Sequence, residues 1–238
     1  KYRHILKGVE RANSVTIDAH KQMYVPMGAG MVLFRDPTLV SAIEHHADYI
    51  IRKGSKDLGS YTLEGSRPGM AMLVQSGLKI IGHDGYEILM DQGIEKARLF
   101  ADMIKADQEF ELITEPELNI LTYRYLPQFV RDKLAVASKA EIETIQEVMN
   151  RLTRRIQKTQ RARGKSFVSR TTLMPEEYDR SRTIVFRVVL ANPLTNHQIL
   201  QDVLTEQKLI ARDADCAGLM AELHALCVAP PRQAQAAG

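Results

Sequence analysis

Ser14-Val15-Thr16-Ile17-Asp18-Ala19-His20-Lys21 reads as a short β-branched strand running into a polar turn. Beyond it, Gly28-Ala29-Gly30 leads into Met31-Val32-Leu33-Phe34, an unbroken apolar run closed by Arg35-Asp36-Pro37, which predicts a strand buried on both faces. Lys21 therefore stands at a strand end, in a turn flanked by two buried strands. A lysine after a strand is most often a solvated surface group. Here His20 is adjacent and small residues follow at Gly28, Ala29 and Gly30, so a cofactor has room to approach closely. Partial desolvation at such a place favours the neutral amine that an imine requires.

Outward from this stretch, Leu39, Ala42, Ile43, Ala47, Ile50 and Ile51 predict a helix over Thr38–Arg52. Lys53 to Gly65 is polar and glycine-rich and reads as a mobile loop. Met70–Ile81 predicts a buried helix, Gly82-His83-Asp84-Gly85 breaks it, and Tyr86–Ala106 predicts a long amphipathic helix with Asp84 as its N-cap. From Phe110 the pattern changes. Phe110–Ile113 and Asn119–Tyr125 alternate as strands, and Ser138 with Glu141 forms a capping-box signature for a helix running to about Arg163. Ser166–Ser169 and Thr183–Leu190 supply two further strands, Thr195 or Asn196 caps a helix through Leu204, and the Pro/Ala/Gln-rich end after Cys227 reads as a disordered tail. The alternation predicts an α/β protein with a mainly parallel sheet followed by a smaller α/β domain, divided as 1–107, 108–214 and 215–238.

Composition narrows the class. The 238 residues are 45% hydrophobic and 26% charged with a net charge of +3, so the chain as a whole is drawn neither to nucleic acid nor to an anionic membrane. No window offers the roughly 20 apolar residues that cross a bilayer, and Cys216 and Cys227 do not form a disulfide framework. A cytoplasmic protein is expected. The start, Lys1-Tyr2-Arg3-His4, has neither an initiator Met nor an apolar leader, which predicts a chain beginning in mid-protein.

The run Asn13-Ser14-Val15-Thr16-Ile17-Asp18-Ala19-His20-Lys21 resembles the lysine motif of the group II pyridoxal-phosphate decarboxylases, with Ala12-Asn13-Ser14 where that family usually has Ala-Asp-Ser. Two further segments resemble the family in the same order: Gly65-Ser66-Arg67-Pro68, and Phe186-Arg187-Val188-Val189-Leu190-Ala191-Asn192-Pro193-Leu194-Thr195. The likeness spans residues 1 to about 210. It implies the C-terminal part of a fold type I, aspartate aminotransferase-like enzyme, with pyridoxal 5'-phosphate as cofactor. By the same resemblance Lys21 anchors the cofactor covalently, His20 contacts its phosphate, and Ser66 reaches the phosphate in the neighbouring subunit of a homodimer. The arginine at the place of Arg187 pairs with a substrate carboxylate in glutamate decarboxylases. A planar guanidinium grips a carboxylate bidentately and so fixes its angle.

The implied activity is loss of carbon dioxide from an acidic amino acid, a carbon–carbon lyase reaction. Leu63-Glu64-Gly65-Ser66-Arg67-Pro68-Gly69 resembles most the bacterial aspartate 1-decarboxylases that make β-alanine. A glutamate decarboxylase making γ-aminobutyrate and a non-catalytic fragment that only dimerises are the alternatives. Tyr61, in the expected loop, is the candidate proton donor to Cα, with an ordinary packed tyrosine as the competing reading. The family's ring-binding aspartate and histidine have no counterpart in these residues, so the chain alone is expected not to decarboxylate. For His20 the competing reading is a histidine satisfied by a backbone carbonyl, and for Arg187 an ion pair closing a strand to a helix. His45-His46, on the expected helix, lack an accompanying ligand set and read as surface residues, and no metal is expected. Arg151–Lys165 is basic without an acid but carries no aromatic for stacking, so it reads as a solvated helix end.

Overall fold

A computed structural model of the chain describes residues 1–49, 51–52, 54, 58–62 and 64–228. The chain divides into two compact units, Lys1–Asp91 and Gln92–Gly238. The division falls inside a helix that the sequence pattern places wholly in residues 1–107.

In the first unit, β1 (Ser14–Asp18) and β2 (Gly30–Phe34) pair antiparallel, from Ser14 opposite Phe34 to Asp18 opposite Gly30. The expected burial on both faces is not found. Val32 and Leu33 are exposed, and the buried cluster beneath the hairpin is small: Ala19, Val25 and Ala29, with Met23, Met31, Met70 and Val74 packed against it. The helix expected over 38–52 is also replaced. A 3-10 segment, Pro37–Ile43, is capped by Asp36, whose carboxylate accepts from the Thr38 N–H at 2.9 Å, and the described residues from 44 to 52 are not helical. Pro37 suits the first turn, but Leu39 and Ile43 are exposed, and a short helix without packing is marginal. His45 and His46 are therefore exposed residues outside any helix. Of the expected loop over 53–65, residues 53, 55–57 and 63 lie outside the described residues, and Leu58–Tyr61 forms a 3-10 turn.

Helix α1 runs over Met70–Ala106 and is interrupted at Gly82, whose φ of 72° and ψ of 176° no helix accommodates and few side chains would tolerate. The break is where the glycine pair predicts it. Asp84 lies in the first turn after the break rather than at its cap, where a carboxylate still suits the helix N-terminus.

The second unit is a four-stranded sheet under helices. β3 (Phe110–Thr114), β4 (Ile120–Tyr125), β5 (Ser169–Leu173) and β6 (Thr183–Val189) lie in the order β3-β4-β6-β5, every neighbour antiparallel. The mainly parallel sheet read from the alternation is thus corrected, since all strand pairings among the described residues are antiparallel. Alternating patterns show that strands and helices follow one another, not which strands become neighbours. β5 starts three residues later than the pattern suggests, leaving Phe167 exposed.

Helices α2 (Gln128–Leu134), α3 (Lys139–Arg163), α4 (His197–Ala211) and α5 (Ala214–Cys227) complete the unit. Phe100 and Ile104 of α1, Tyr123 and Leu121 of β4, Phe186 of β6 and Leu152 and Ile156 of α3 form a common core with Leu204 and Leu223. Phe100 meets Tyr123 edge-on at 5.4 Å, and fully burying each such side chain contributes about 1.5–3 kcal/mol. α3 begins where predicted. The Ser138 N–H and hydroxyl both donate to Glu141 Oε2 at 2.8 Å. α4 is capped by Asn196, whose side chain accepts from the Ile199 N–H at 3.0 Å. The basic residues of the run at the end of α3 are exposed, as read, and two of them have acidic partners. Arg151 pairs with Glu222 and Arg163 with Asp213, acids supplied by or next to α5. The expected disordered tail, 229–238, lies outside the described residues.

Candidate active site

The Lys21 turn is held by backbone bonds before any side chain acts. The Lys21 N–H donates to the Asp18 carbonyl at 3.0 Å, the Val25 N–H to the Ala19 carbonyl at 3.4 Å, and the His20 N–H to the Ala29 carbonyl at 3.3 Å. From α1, the Tyr86 hydroxyl donates to the Met23 carbonyl at 2.9 Å. Ala19 is fully buried beneath the turn, so only the lysine stem is left free to move.

Lys21 projects outward, its side chain two-thirds exposed, with Nζ 2.7 Å from Asp18 Oδ2. The Lys21 hydrogen bond and charge hold the Asp18 carboxyl below its ordinary range. The sequence reading did not single out Asp18. The i, i+3 spacing in a turn after a strand was the available signal.

His20 Nδ1 donates to the Ala29 carbonyl at 2.8 Å. The backbone-satisfied histidine weighed from the sequence is therefore present, but it uses one nitrogen only. Fixing the proton on Nδ1 leaves Nε2 as the ring's second polar atom, and nothing among the described residues bonds it. Tyr61 is half-buried in its 3-10 turn and Ser66 is exposed at a bend, and among the described residues no hydrogen bond or ion pair joins either to the Lys21 turn.

Arg187 lies in the second unit, on β6, half-buried. The ion pair weighed for it from the sequence is not formed: among the described residues nothing pairs with its guanidinium. Its strand is fixed at the far end by α1. Lys96 Nζ donates to the carbonyls of Asn192 and Pro193 at 3.1 and 2.7 Å, and a Cβ on Gly93 would lie 2.9 Å from the Leu190 carbonyl oxygen. Partial burial lowers the Lys96 ammonium from its usual range. A polar concavity of about 480 Å³ opens beside α3, lined in part by Gln146, Asn150, Arg154 and Arg182, and contains none of Lys21, His20, Tyr61, Ser66 and Arg187. His83, Asp84 and Glu87 bring ligand atoms within 4.8 Å of one another on an exposed surface, where such groupings are common.

An exposed primary amine on a rigid turn, beside an imidazole with one nitrogen engaged and one open, is a donor set that fits an aldehyde cofactor bearing a phosphate. Residues 1–126 match the pyridoxal-dependent decarboxylase conserved domain. The chain belongs to this family. Pyridoxal 5'-phosphate is the cofactor that membership brings.

Over 214 residues the chain is 62% identical to aspartate 1-decarboxylase of Aliivibrio fischeri, covering 90% of this chain and 39% of that protein. It is 39% identical over 119 residues to L-aspartate decarboxylase of Thermococcus kodakarensis, covering 50% and 29%. Among solved structures, mouse CSAD in apo form superposes with a TM-score of 0.73 at 23% identity, covering 88% of this chain and 42% of that one, which shows the shared fold. The α/β assignment to the fold of the pyridoxal-dependent decarboxylases, read from the sequence resemblance, is thereby borne out. The chain spans about two fifths of the length of the relatives it covers most fully.

Proposed function

We propose that this chain is the part of a pyridoxal-phosphate-dependent decarboxylase that carries the lysine anchor, and that the whole protein converts L-aspartate to β-alanine. The observation that carries the reading is the Lys21 turn, an exposed amine fixed beside His20 by three backbone hydrogen bonds within a family-matching segment. The aspartate preference is supported by the 62% identity to the Aliivibrio fischeri enzyme.

In this reading Lys21 would hold the cofactor covalently through its Nζ. Once bound, the cofactor supplies an electron sink for the pair left behind as carbon dioxide departs. His20, held by its Nδ1–H on the Ala29 carbonyl, would donate to the phosphate from Nε2 when that nitrogen also carries a proton. Arg187, with no partner for its guanidinium among the described residues, grips a substrate carboxylate and sets the angle of the bond to be broken. Tyr61 returns a proton to Cα, and Ser66 serves the phosphate of the neighbouring site in a homodimer. The domain division 1–107, 108–214 and 215–238 and a cytoplasmic location belong to the same proposal. No helix among the described residues is long and apolar enough to cross a membrane.

Lys21→Ala in the intact protein tests the central assignment. The visible absorbance of lysine-bound cofactor should vanish and β-alanine formation from L-aspartate should fall by at least about a thousandfold, the usual scale for losing a covalent catalytic group. Retained absorbance would remove Lys21 from its role. Parallel assays with glutamate, diaminobutyrate and tyrosine test the substrate.

A further inference from the structure

Strand register places a row of polar side chains across one face of the second unit's sheet. Thr114 on β3 lies opposite Thr122 on β4, Thr122 opposite Arg187 on β6, and Arg187 opposite Ser169 on β5. Directly opposed residues of antiparallel strands project from the same face with Cβ atoms about 4.5–5.5 Å apart. Thr122 and Ser169 therefore flank Arg187.

The two flanking hydroxyls are not equivalent. Ser169 Oγ donates to the Arg187 carbonyl at 2.6 Å, so its proton is committed. Thr114 Oγ1 accepts the Thr122 N–H at 3.0 Å and lies 2.9 Å from Thr122 Oγ1. Thr114 is the exposed member of that pair. When it donates to Thr122, the Thr122 proton is free to turn along the row. Thr122 is only 5% exposed and its hydroxyl already has Thr114 Oγ1 as a partner, so what the row leaves open is the direction in which its proton points. Arg124, two residues along β4 on the same face, is tied to Glu111 and Gln146 at 2.8 Å each, whereas Arg187 is unengaged among the described residues.

We propose that Thr122 is a second carboxylate-binding residue, donating its hydroxyl to the same substrate carboxylate that Arg187 grips. The proposal rests on the reading of Arg187 given above. A bidentate guanidinium leaves further lone pairs on the carboxylate oxygens, and a donor fixed to one side selects the rotation of the carboxylate about its own axis.

The test uses the full-length holoenzyme, with succinate as a dicarboxylate that lacks the reacting amine. Succinate affinity is measured by calorimetry, and KM and kcat with L-aspartate. Thr122→Val, which preserves shape, should weaken succinate binding and lower kcat/KM by about tenfold, the scale of one hydrogen bond to a charged group. Thr122→Ser, which keeps the hydroxyl, should stay within about twofold of the parent. On an Arg187→Gln background Thr122→Val should add less than about twofold, because the two residues act on one carboxylate. A purely structural Thr122 would change thermal stability without separating the Val and Ser variants in succinate affinity, and that result overturns the proposal. So does a Thr122→Val enzyme that binds like the parent while Arg187→Gln loses affinity, which leaves the Arg187 reading standing. If Arg187→Gln binds succinate normally, the Arg187 reading fails and this proposal falls with it. Should Thr122→Val not fold, Thr122→Ala in the same titration decides by the same criteria.

Discussion

Single residues in this chain differ mainly in what their neighbours have already claimed. Glu141 shows this in the α3 capping box. Lys133 on α2 reaches it at 2.6 Å, the Ser138 N–H and hydroxyl donate to its other oxygen, and its carboxyl is brought from the ordinary 4.5 down to about 2, the Lys133 bond first among the causes. The folded state thus binds the proton less readily than the unfolded chain does, so the carboxylate stabilises fully above pH 4.5. Its contribution declines through the interval from 4.5 to about 2. Glu141→Gln keeps an acceptor oxygen and removes the charge. Its melting temperature should lie below the parent's at pH 6, and the gap should close as the pH approaches 2. A gap that stays constant from pH 6 to 3 would count against the linkage. At this same scale the sequence singles out Lys21, His20 and Arg187 as candidates, because a motif is contiguous or nearly so. It hid Asp18 as the lysine's partner and Thr122 as the arginine's neighbour. One is a matter of turn geometry and the other of cross-strand register, and neither is written in the spacing of residues along the chain.

Among the elements, α1 is the one whose local chemistry most directly sets what lies beside it. Gly93 brings it so close to the Leu190 carbonyl that a methyl group would meet backbone at 2.9 Å. Backbone cannot yield as a flexible side chain does. Gly93→Ala should therefore destabilise by about 1–3 kcal/mol, the cost of overpacking. Gly218, inside α5 with nothing within 4 Å of a built Cβ, is the matched control. There the alanine should stabilise by about 0.5–1 kcal/mol through helix propensity and a less free unfolded chain. Denaturant unfolding of the two variants gives opposite signs if the close approach at Gly93 is real and the same sign if it is not. Element boundaries set by caps and breakers were legible from the residues, as at Ser138, Asn196 and Gly82. The segment over 38–52 was not. Its apolar spacing resembles a helix, yet periodicity states only which face would be buried and cannot supply a surface for it. Pairing direction was hidden for a related reason, since the β-branched runs announce strands while neighbours are chosen by connections and packing far along the chain.

Over the whole chain, stability is unevenly distributed between the two units. In Gln92–Gly238 a continuous core joins α1, the four-stranded sheet, α3, α4 and α5, with Leu121, Leu152, Ile156, Phe186 and Ile210 essentially inaccessible to solvent. In Lys1–Asp91 the buried cluster among the described residues is Ala19, Val25 and Ala29, and its sheet is a single hairpin. Two-stranded hairpins are marginal alone, and the free energy of local opening follows the number of buried apolar neighbours rather than the number of hydrogen bonds drawn. Amide hydrogen exchange on residues 1–238 should therefore show α3, β4 and β6 exchanging slowest, close to the rate set by global unfolding. The amides of β1 and β2 should exchange at least about a hundredfold faster, corresponding to about 2.7 kcal/mol less protection. Both hairpin strands are paired throughout their length, so a purely hydrogen-bond account predicts comparable protection in the two sheets. Peptide-resolved exchange measured by mass spectrometry separates the two accounts. Protection in β1–β2 equal to that in β4–β6 would mean that burial in the second unit does not set the difference. The expected contrast carries a consequence for the lysine turn. Lys21 is held by a local frame of backbone hydrogen bonds, and the lifetime of that frame is set by a hairpin whose buried cluster among the described residues is only Ala19, Val25 and Ala29.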